Sequence, residues 1–212
     1  PNGADAAMFD PSADGADYRT AHDIPNDAFM VLYAGAHGMS NDLGVMLEAA
    51  HILKDEEQII FAFVGDGKEK ANLMEKSEEL GLKNVRFLPP VPKEEMSEAL
   101  AASDACLAIL KPLEMYKTVY PNKVFDYMAA GRPVILAIDG VVREVVDEAD
   151  AGVFSEPGDA CELAEKVLQV YTNPEASRVM GQNGRNYVEE HFDRGKLAAK
   201  LEGIFQDVIA RE

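Results

Sequence analysis

The sequence predicts an α/β fold, a doubly wound and mainly parallel sheet with helices on both faces. Three observations predict it. Short apolar runs alternate with amphipathic stretches along nearly the whole chain. The runs are apolar at almost every position, as strands buried on both faces require. Gly and Pro punctuate the joins.

Each element follows in order. Residues 1–27, PNGADAAMFDPSADGADYRTAHDIPND, are rich in Asp, Gly, Pro and Ala and hold no period. They read as a linker or an arm over the surface, which leaves 28–212 as one domain with C-terminal helices. FMVLYAG (29–35) is a strand. NDLGVMLEAAHILKD (41–55) is a helix with Leu43, Met46, Leu47 and Ala50 on one face. QIIFAFVGDG (58–67) is a buried strand ending in a glycine turn. KEKANLMEKSEELG (68–81) is a helix stopped by a glycine. VRFL (85–88) is a short strand, KEEMSEALAASD (93–104) a helix and ACLAIL (105–110) a strand. A helix opened by Pro121 leads to the strand PVILA (133–137). VVREVVDEAD (141–150) is a helix and AGVFS (151–155) a strand. Helices near 159–171, 174–190 and 194–210 close the chain. In the last one Leu197, Leu201, Ile204, Phe205, Val208 and Ile209 share a face, which packs on this domain or on something beyond this chain.

Composition narrows the function. The net charge is -18, a poor match for nucleic acid or an anionic membrane surface. A bound phosphate has to be held locally, against that field. Cys106 and Cys161 form no CxxC or Cys/His cluster, so no metal site is expected, and a reducing, cytoplasmic setting is. No run is long enough to cross a bilayer, and neither a membrane span nor a signal peptide is expected within these residues. The chain opens at Pro1 rather than Met, so a processed or cut chain is expected.

Ligands of such sheets sit at the carboxyl ends of the strands. The loops after Tyr33, Val64, Leu88 and Leu110 are therefore the ones to search. AGAHGMS brings Gly35, His37 and Gly38 to the end of the first strand, where small residues permit close backbone approach to a phosphate. The alternative is a plain connection, with His37 in solvent. Gly65 and Gly67 after the second strand invite the same two readings. At YPNKVFDYMAAGRPVI the helix start offers the free amides of Asn122 and Lys123, with Lys117 close by. Asp126 lies one turn deeper on the same face. It accepts hydrogen bonds from hydroxyls such as those of a ribose, or it caps the helix or pairs with Lys123.

The blocks NGADAAMF, YAGAHGMSNDLGVMLEAAHIL, FVGDGKEKANL, NVRFLPPVPKEEMSEALAASDACLAIL, NKVFDYMAAGRPVI and AGVFSEPGDACELAEKV resemble, in content and order, the C-terminal half of family 4 (group 1) retaining glycosyltransferases. The resemblance covers nearly the whole chain. It implies a Rossmann-like domain, one half of a GT-B fold, that binds a nucleotide-sugar, a UDP-sugar foremost, without a metal or other cofactor. It implies transfer to a glycan or lipid-linked acceptor in bacterial surface polysaccharide synthesis. It also implies a partner N-terminal acceptor-binding domain beyond this chain, which alone would carry any contact with the inner face of the membrane. The chain by itself is then expected to be inactive. The family's E-x7-E motif places its ribose-binding acid on Asp126 and its first acid on Thr118, with Glu114 the substitute. The family's basic pair falls on Ala36 and Asn41, so the diphosphate's cation is expected from Lys111, Lys117, Lys123 or Arg143. Pro121 removes one amide that the family aims at phosphate. The YKTVYPNK segment resembles transferases of N-acetylated amino sugars. The implied donor-binding set is Gly35, His37, Gly38, Gly65, Lys111, Thr118, Asn122, Lys123 and Asp126. The rival readings are a stand-alone nucleotide-binding module, a GT-B sugar-nucleotide 2-epimerase, for which no catalytic acids and His are in place, and a doubly wound domain with no ligand.

Overall fold

The structure is a computed structural model that describes residues 3–209, apart from the side chains of Asp207 and Val208. Asn2, at the head of NGADAAMF, and the Val208 side chain therefore lie outside the described residues.

The apolar runs form six parallel strands: β1 (Phe29–Ala34), β2 (Ile59–Val64), β3 (Val85–Leu88), β4 (Ala105–Ile109), β5 (Val134–Ala137) and β6 (Gly152–Phe154). Their order is β3-β2-β1-β4-β5-β6. The chain winds outward from β1 to β3, then returns to lay β4 against the other side of β1. The carboxyl ends of β1 and β4 therefore flank a topological switch point, where the loops leave in opposite directions and open a crevice.

The described helices are α1 (Ala16–Ala21), α2 (Leu43–Ile52), α3 (Lys70–Glu79), α4 (Met96–Ala101), α5 (Asn122–Ala129), α6 (Val141–Glu148), α7 (Ala160–Thr172), α8 (Pro174–Tyr187) and α9 (Arg194–Ile209). Because side chains alternate along a strand, Val31 and Tyr33 of β1 join the layer formed with α2, α3 and α7. Met30, Leu32 and Ala34 join the opposite layer, with α4, α5 and α6. Every residue of β2, β4 and β5 is buried, so these strands show no polar face.

Three helical stretches differ from the sequence reading. The 41–55 stretch begins as a 3-10 turn at Met39–Asn41, then Asp42 takes φ +44° before α2 starts. The 93–104 stretch is a 3-10 turn, Lys93–Glu95, followed by the short α4. The 174–190 stretch ends at Tyr187 and passes into a π-helical turn, Val188–Phe192. Pro121 caps α5 and is not its first helical residue.

Residues 3–27 are more than a loose arm. Ala4, Phe9 and Ile24 are buried in the layer that contains α5. The arm also holds α1, whose Arg19 is 7% exposed. Its guanidinium donates to the carbonyls of Ala102 (2.8 Å) and Ala28 (2.7 Å) and to Asp104 (2.6 Å). Those bonds supply the order that the arm's composition lacks. Farther upstream, Ala4 donates to the Phe192 carbonyl (3.0 Å) and accepts from the Arg194 amide (2.9 Å). Arg185 donates to the carbonyls of Ala6 and Phe9, each at 2.8 Å. At the other end, Leu201, Ile204, Phe205 and Ile209 of α9 are all more than half exposed, so this face does not pack on the domain.

Candidate functional site at the carboxyl edge of the sheet

The loops after β1, β2 and β3 meet above the sheet. They enclose a cavity of about 230 Å³ lined by Gly35, Ala36, Val64, Gly65, Asp66, Pro90, Val91 and Met96. A neighbouring cavity of about 180 Å³ lies over the ends of β4, β5 and β6. Lys111, Glu114, Lys117, Asp139 and Glu156 are among its lining residues. The N-terminus of α5 follows the β4 loop into the same region.

The first two loops are packed backbone against backbone. Gly65 has φ +142°, and a Cβ there would stand 1.9 Å from the Gly35 carbonyl oxygen. Only glycine permits that approach. The Gly35 amide donates to Val64 (2.9 Å) and the His37 amide to Asp66 (2.8 Å). Two tyrosines fix the first loop from below. The Tyr127 hydroxyl lies 2.9 Å from the Ala34 amide and 3.2 Å from its carbonyl oxygen, accepting from one and donating to the other. The Tyr33 hydroxyl donates to the Ala36 carbonyl at 2.9 Å.

His37 does not face solvent. Its ring is fully buried, near Tyr33, Phe63 and Phe87, and neither ring nitrogen has a hydrogen-bond partner. Burial, then the charge of Lys70, hold its pKa down to about 4, so the ring is neutral. It is a packing residue beneath the loops, and its backbone, not its ring, forms the loop contacts. Gly38 is under no steric demand, since the nearest atom to a Cβ there lies 3.8 Å away. Asn41 donates its side-chain amide to the Ala36 carbonyl (2.9 Å), so both positions of the expected basic pair serve the shape of the loop.

Asp126 lies in the first turns of α5, partly buried, and its Oδ1 is buried without a hydrogen-bond partner. Burial raises its pKa, and the charges of Lys93 and Arg194 act in the opposite direction. It forms no ion pair with Lys123, so the pairing alternative fails among the described residues. Val124, Phe125, Tyr127 and Met128 are buried, which leaves Asp126 as the acid between the core face and the open face of the helix. Asn122 is exposed at the helix start. Thr118 is exposed in the 3-10 turn Glu114–Thr118, where its hydroxyl donates to the Met115 carbonyl (3.2 Å).

The candidate cations separate into two groups. Lys117 pairs with Glu114 (2.9 Å) and Asp139 (3.7 Å). Arg143 reaches Asp139 and Asp147, each at 3.3 Å, and stacks on Phe154. Both are committed to acids. Lys111 lines the cavity at β4 and a second one beside Gly38 and Asp42, and its amide donates to Ser40 (3.0 Å). The Lys123 ammonium lies 3.9 Å from the centroid of the Tyr33 ring.

Sequence reasoning missed Lys70, whose ammonium donates to the carbonyls of Gly65 (2.7 Å) and Leu88 (3.1 Å) and ties the ends of β2 and β3. It also missed Tyr33 and Tyr127 as supports of the loop. A tyrosine inside an otherwise aliphatic buried run was the available signal, because a buried phenol needs a partner.

A model of the family described as "Glycosyl transferases group 1" matches residues 14–187. The putative colanic acid biosynthesis glycosyl transferase WcaI of Escherichia coli K12 is 30% identical over 200 residues, covering 92% of this chain and 47% of that protein. The crystal structure of Anabaena Alr3699/HepE in complex with UDP-glucose superposes with a TM-score of 0.81 at 20% identity, over 95% of this chain and 56% of that one. The C-terminal domain of a glycosyl transferase group 1 family protein, LpcC of Francisella tularensis, superposes with a TM-score of 0.75 at 19% identity, over 90% of this chain and 98% of that one. The chain spans half or less of the length of the first curated relatives it matches, between 37% and 48%. Among the described residues no helix is long and apolar enough to cross a membrane.

Proposed function

The chain belongs to the group 1 glycosyltransferase family, and from that premise we propose that it is the donor-binding, C-terminal half of a retaining GT-B enzyme. The donor is a nucleotide-sugar, with UDP the nucleotide. The sugar goes to a glycan or lipid-linked acceptor in surface polysaccharide synthesis. Acceptor recognition belongs to an N-terminal domain, and this chain alone turns over no substrate. The observation that carries the reading is Asp126, whose Oδ1 is buried without a partner on α5, the helix that follows the β4 loop. A buried carboxylate oxygen without a donor costs about 1–3 kcal/mol, and a ribose hydroxyl would satisfy it.

In this mechanism the chain positions the donor and balances its charge. The β1 and β2 loops hold the nucleotide against a floor kept flat by Gly35 and Gly65. Asp126 accepts from the ribose and fixes the nucleoside. The diphosphate lies at the N-terminus of α5, where helix amides oppose its charge. The donor's own phosphate assists departure of the sugar, and the acceptor attacks the same face. No metal takes part.

Calorimetric titration with UDP, GDP and ADP, without and then with magnesium, tests this. Saturable binding of UDP alone, unchanged by magnesium, is the expected result. Failure of all three to bind at millimolar concentration overturns it.

A further inference from the structure

Lys123 stands apart from the other cations at the carboxyl edge. It sits in the first turn of α5 and leans back over β1. A Cβ built on Gly35 would lie 2.7 Å from its Nζ, so the amine rests on the open side of that glycine. Among the described residues no carboxylate lies within ion-pair distance of it. It lies over the Tyr33 ring, and a cation–π contact replaces only part of the lost hydration.

The charged groups on the surrounding elements have partners or positions of their own. Asp66, after β2, accepts from the Gly67 amide (2.8 Å). Lys70, on α3, is bound to carbonyls. His37, after β1, is neutral and carries no compensating charge. Lys117 and Arg143, near the ends of β4 and β5, are paired with Glu114, Asp139 and Asp147. Lys111, on the β4 loop, is a like charge. Asp126, on α5 itself, responds to Lys93 and Arg194. Apart from the Tyr33 ring, no neighbouring group among the described residues favours the charged form of Lys123. A dianionic ligand seated at the start of α5 would.

We propose that Lys123 is the counter-cation of the donor's diphosphate and takes up a proton as the nucleotide binds, so that donor affinity falls as pH rises through neutrality. The proton comes from solvent to the Nζ lone pair, and no other bond changes. Burial agrees with the geometry, since it pulls the Lys123 pKa down to about 7. This inference rests on the donor-site reading and adds to it the group that neutralises the phosphates and the pH dependence that follows.

The test is calorimetric titration of the wild type, Lys123→Arg and Lys123→Met with UDP, in buffers of different ionisation enthalpy. Displacement by uridine, which lacks the phosphates, completes it. The nucleotide's own phosphate proton is common to all three proteins, so the difference from Lys123→Arg isolates the lysine. The expected excess uptake in the wild type near pH 7.5 is about 0.5–0.8 proton per nucleotide. Wild-type affinity should fall about 10- to 100-fold between about pH 6 and pH 9 relative to Lys123→Arg. Lys123→Met should bind UDP little better than uridine and keep its uridine affinity. UDP binding that survives Lys123→Met, or equal proton uptake in the wild type and Lys123→Arg, overturns this inference and leaves the donor site standing. Wild type that binds neither UDP nor uridine overturns both.

Discussion

Asp126 gives the most decisive perturbation, because its two effects have opposite signs. In the unliganded protein Oδ1 is buried without a donor. Such a group costs about 1–3 kcal/mol. Asp126→Asn keeps the volume and removes the charge, so part of that cost is relieved. A gain of about 1 kcal/mol corresponds to about 2–4 °C in Tm for a domain of this size. The pH dependence has a definite sign. Burial raises the folded pKa of Asp126 above its unfolded value. The folded state therefore binds more protons between the two values, and stability falls as pH rises through that window. The gain from Asp126→Asn is thus full at neutral pH and vanishes in acid. Nucleotide affinity moves the other way. Losing a hydrogen bond to a charged acceptor costs about 1.5–3 kcal/mol, or roughly 10- to 150-fold in Kd. Thermal melts across pH, paired with calorimetric titration of UDP, measure both quantities on one sample. A variant that melts higher and binds UDP as tightly as the wild type refutes the role given to Asp126. One that melts lower at neutral pH refutes the electrostatics.

Three further predictions concern separate parts of the molecule. Gly65→Ala drives a methyl group into the Gly35 carbonyl. The two loops must part, costing about 1–3 kcal/mol, and denaturant melts should show this together with lost nucleotide binding. Lys123→Met should stabilise the unliganded protein. A lysine whose folded pKa is depressed to about 7 disfavours the fold most at low pH, so the Tm gain should be largest below neutrality and shrink as pH rises towards the ordinary lysine range. Arg19→Ala removes the guanidinium donor from the carbonyls of Ala28 and Ala102, while Asp104 keeps the Met30 amide. Its cost should be about 1–3 kcal/mol, read by urea denaturation, and limited proteolysis should then cut within residues 10–25.

The sheet was legible because its information is local. Ile59–Val64 and Ala105–Ile109 are apolar at every position, and only a strand covered on both faces uses such a run. Asp126 stood out for the opposite reason, as an acid out of place in an apolar helix, and the structure buries its Oδ1 without a partner. His37 was not legible. Its companions Phe63 and Phe87 come from β2 and β3, and no pattern within AGAHGMS records that they close over the ring. The order of the arm was hidden in the same way. Its order comes from Arg19, which reaches Ala102, and from Arg185, which reaches back to Ala6, so composition alone could not choose between a linker and an arm over the surface. Among the candidate cations, sequence could not separate Lys123 from Lys117 and Arg143. The difference is the presence of Asp139, which is placed by a different strand end.

The clasp between Ala4 and the Phe192–Arg194 segment also sets an order of events. The segment at Phe192–Arg194 that Ala4 pairs with is made long after Ala4 itself. At ordinary translation rates of about 5–20 residues per second, that delay is of order 10–40 s. For that time Ala4 has no seat, and Phe9 waits for Arg185 to close over its carbonyl. β1, β2 and β3 can meanwhile pair with sequence neighbours as they emerge. The tip of the arm therefore docks after β1, β2 and β3 have paired, whereas Arg19 can bind Ala102 and Asp104 earlier.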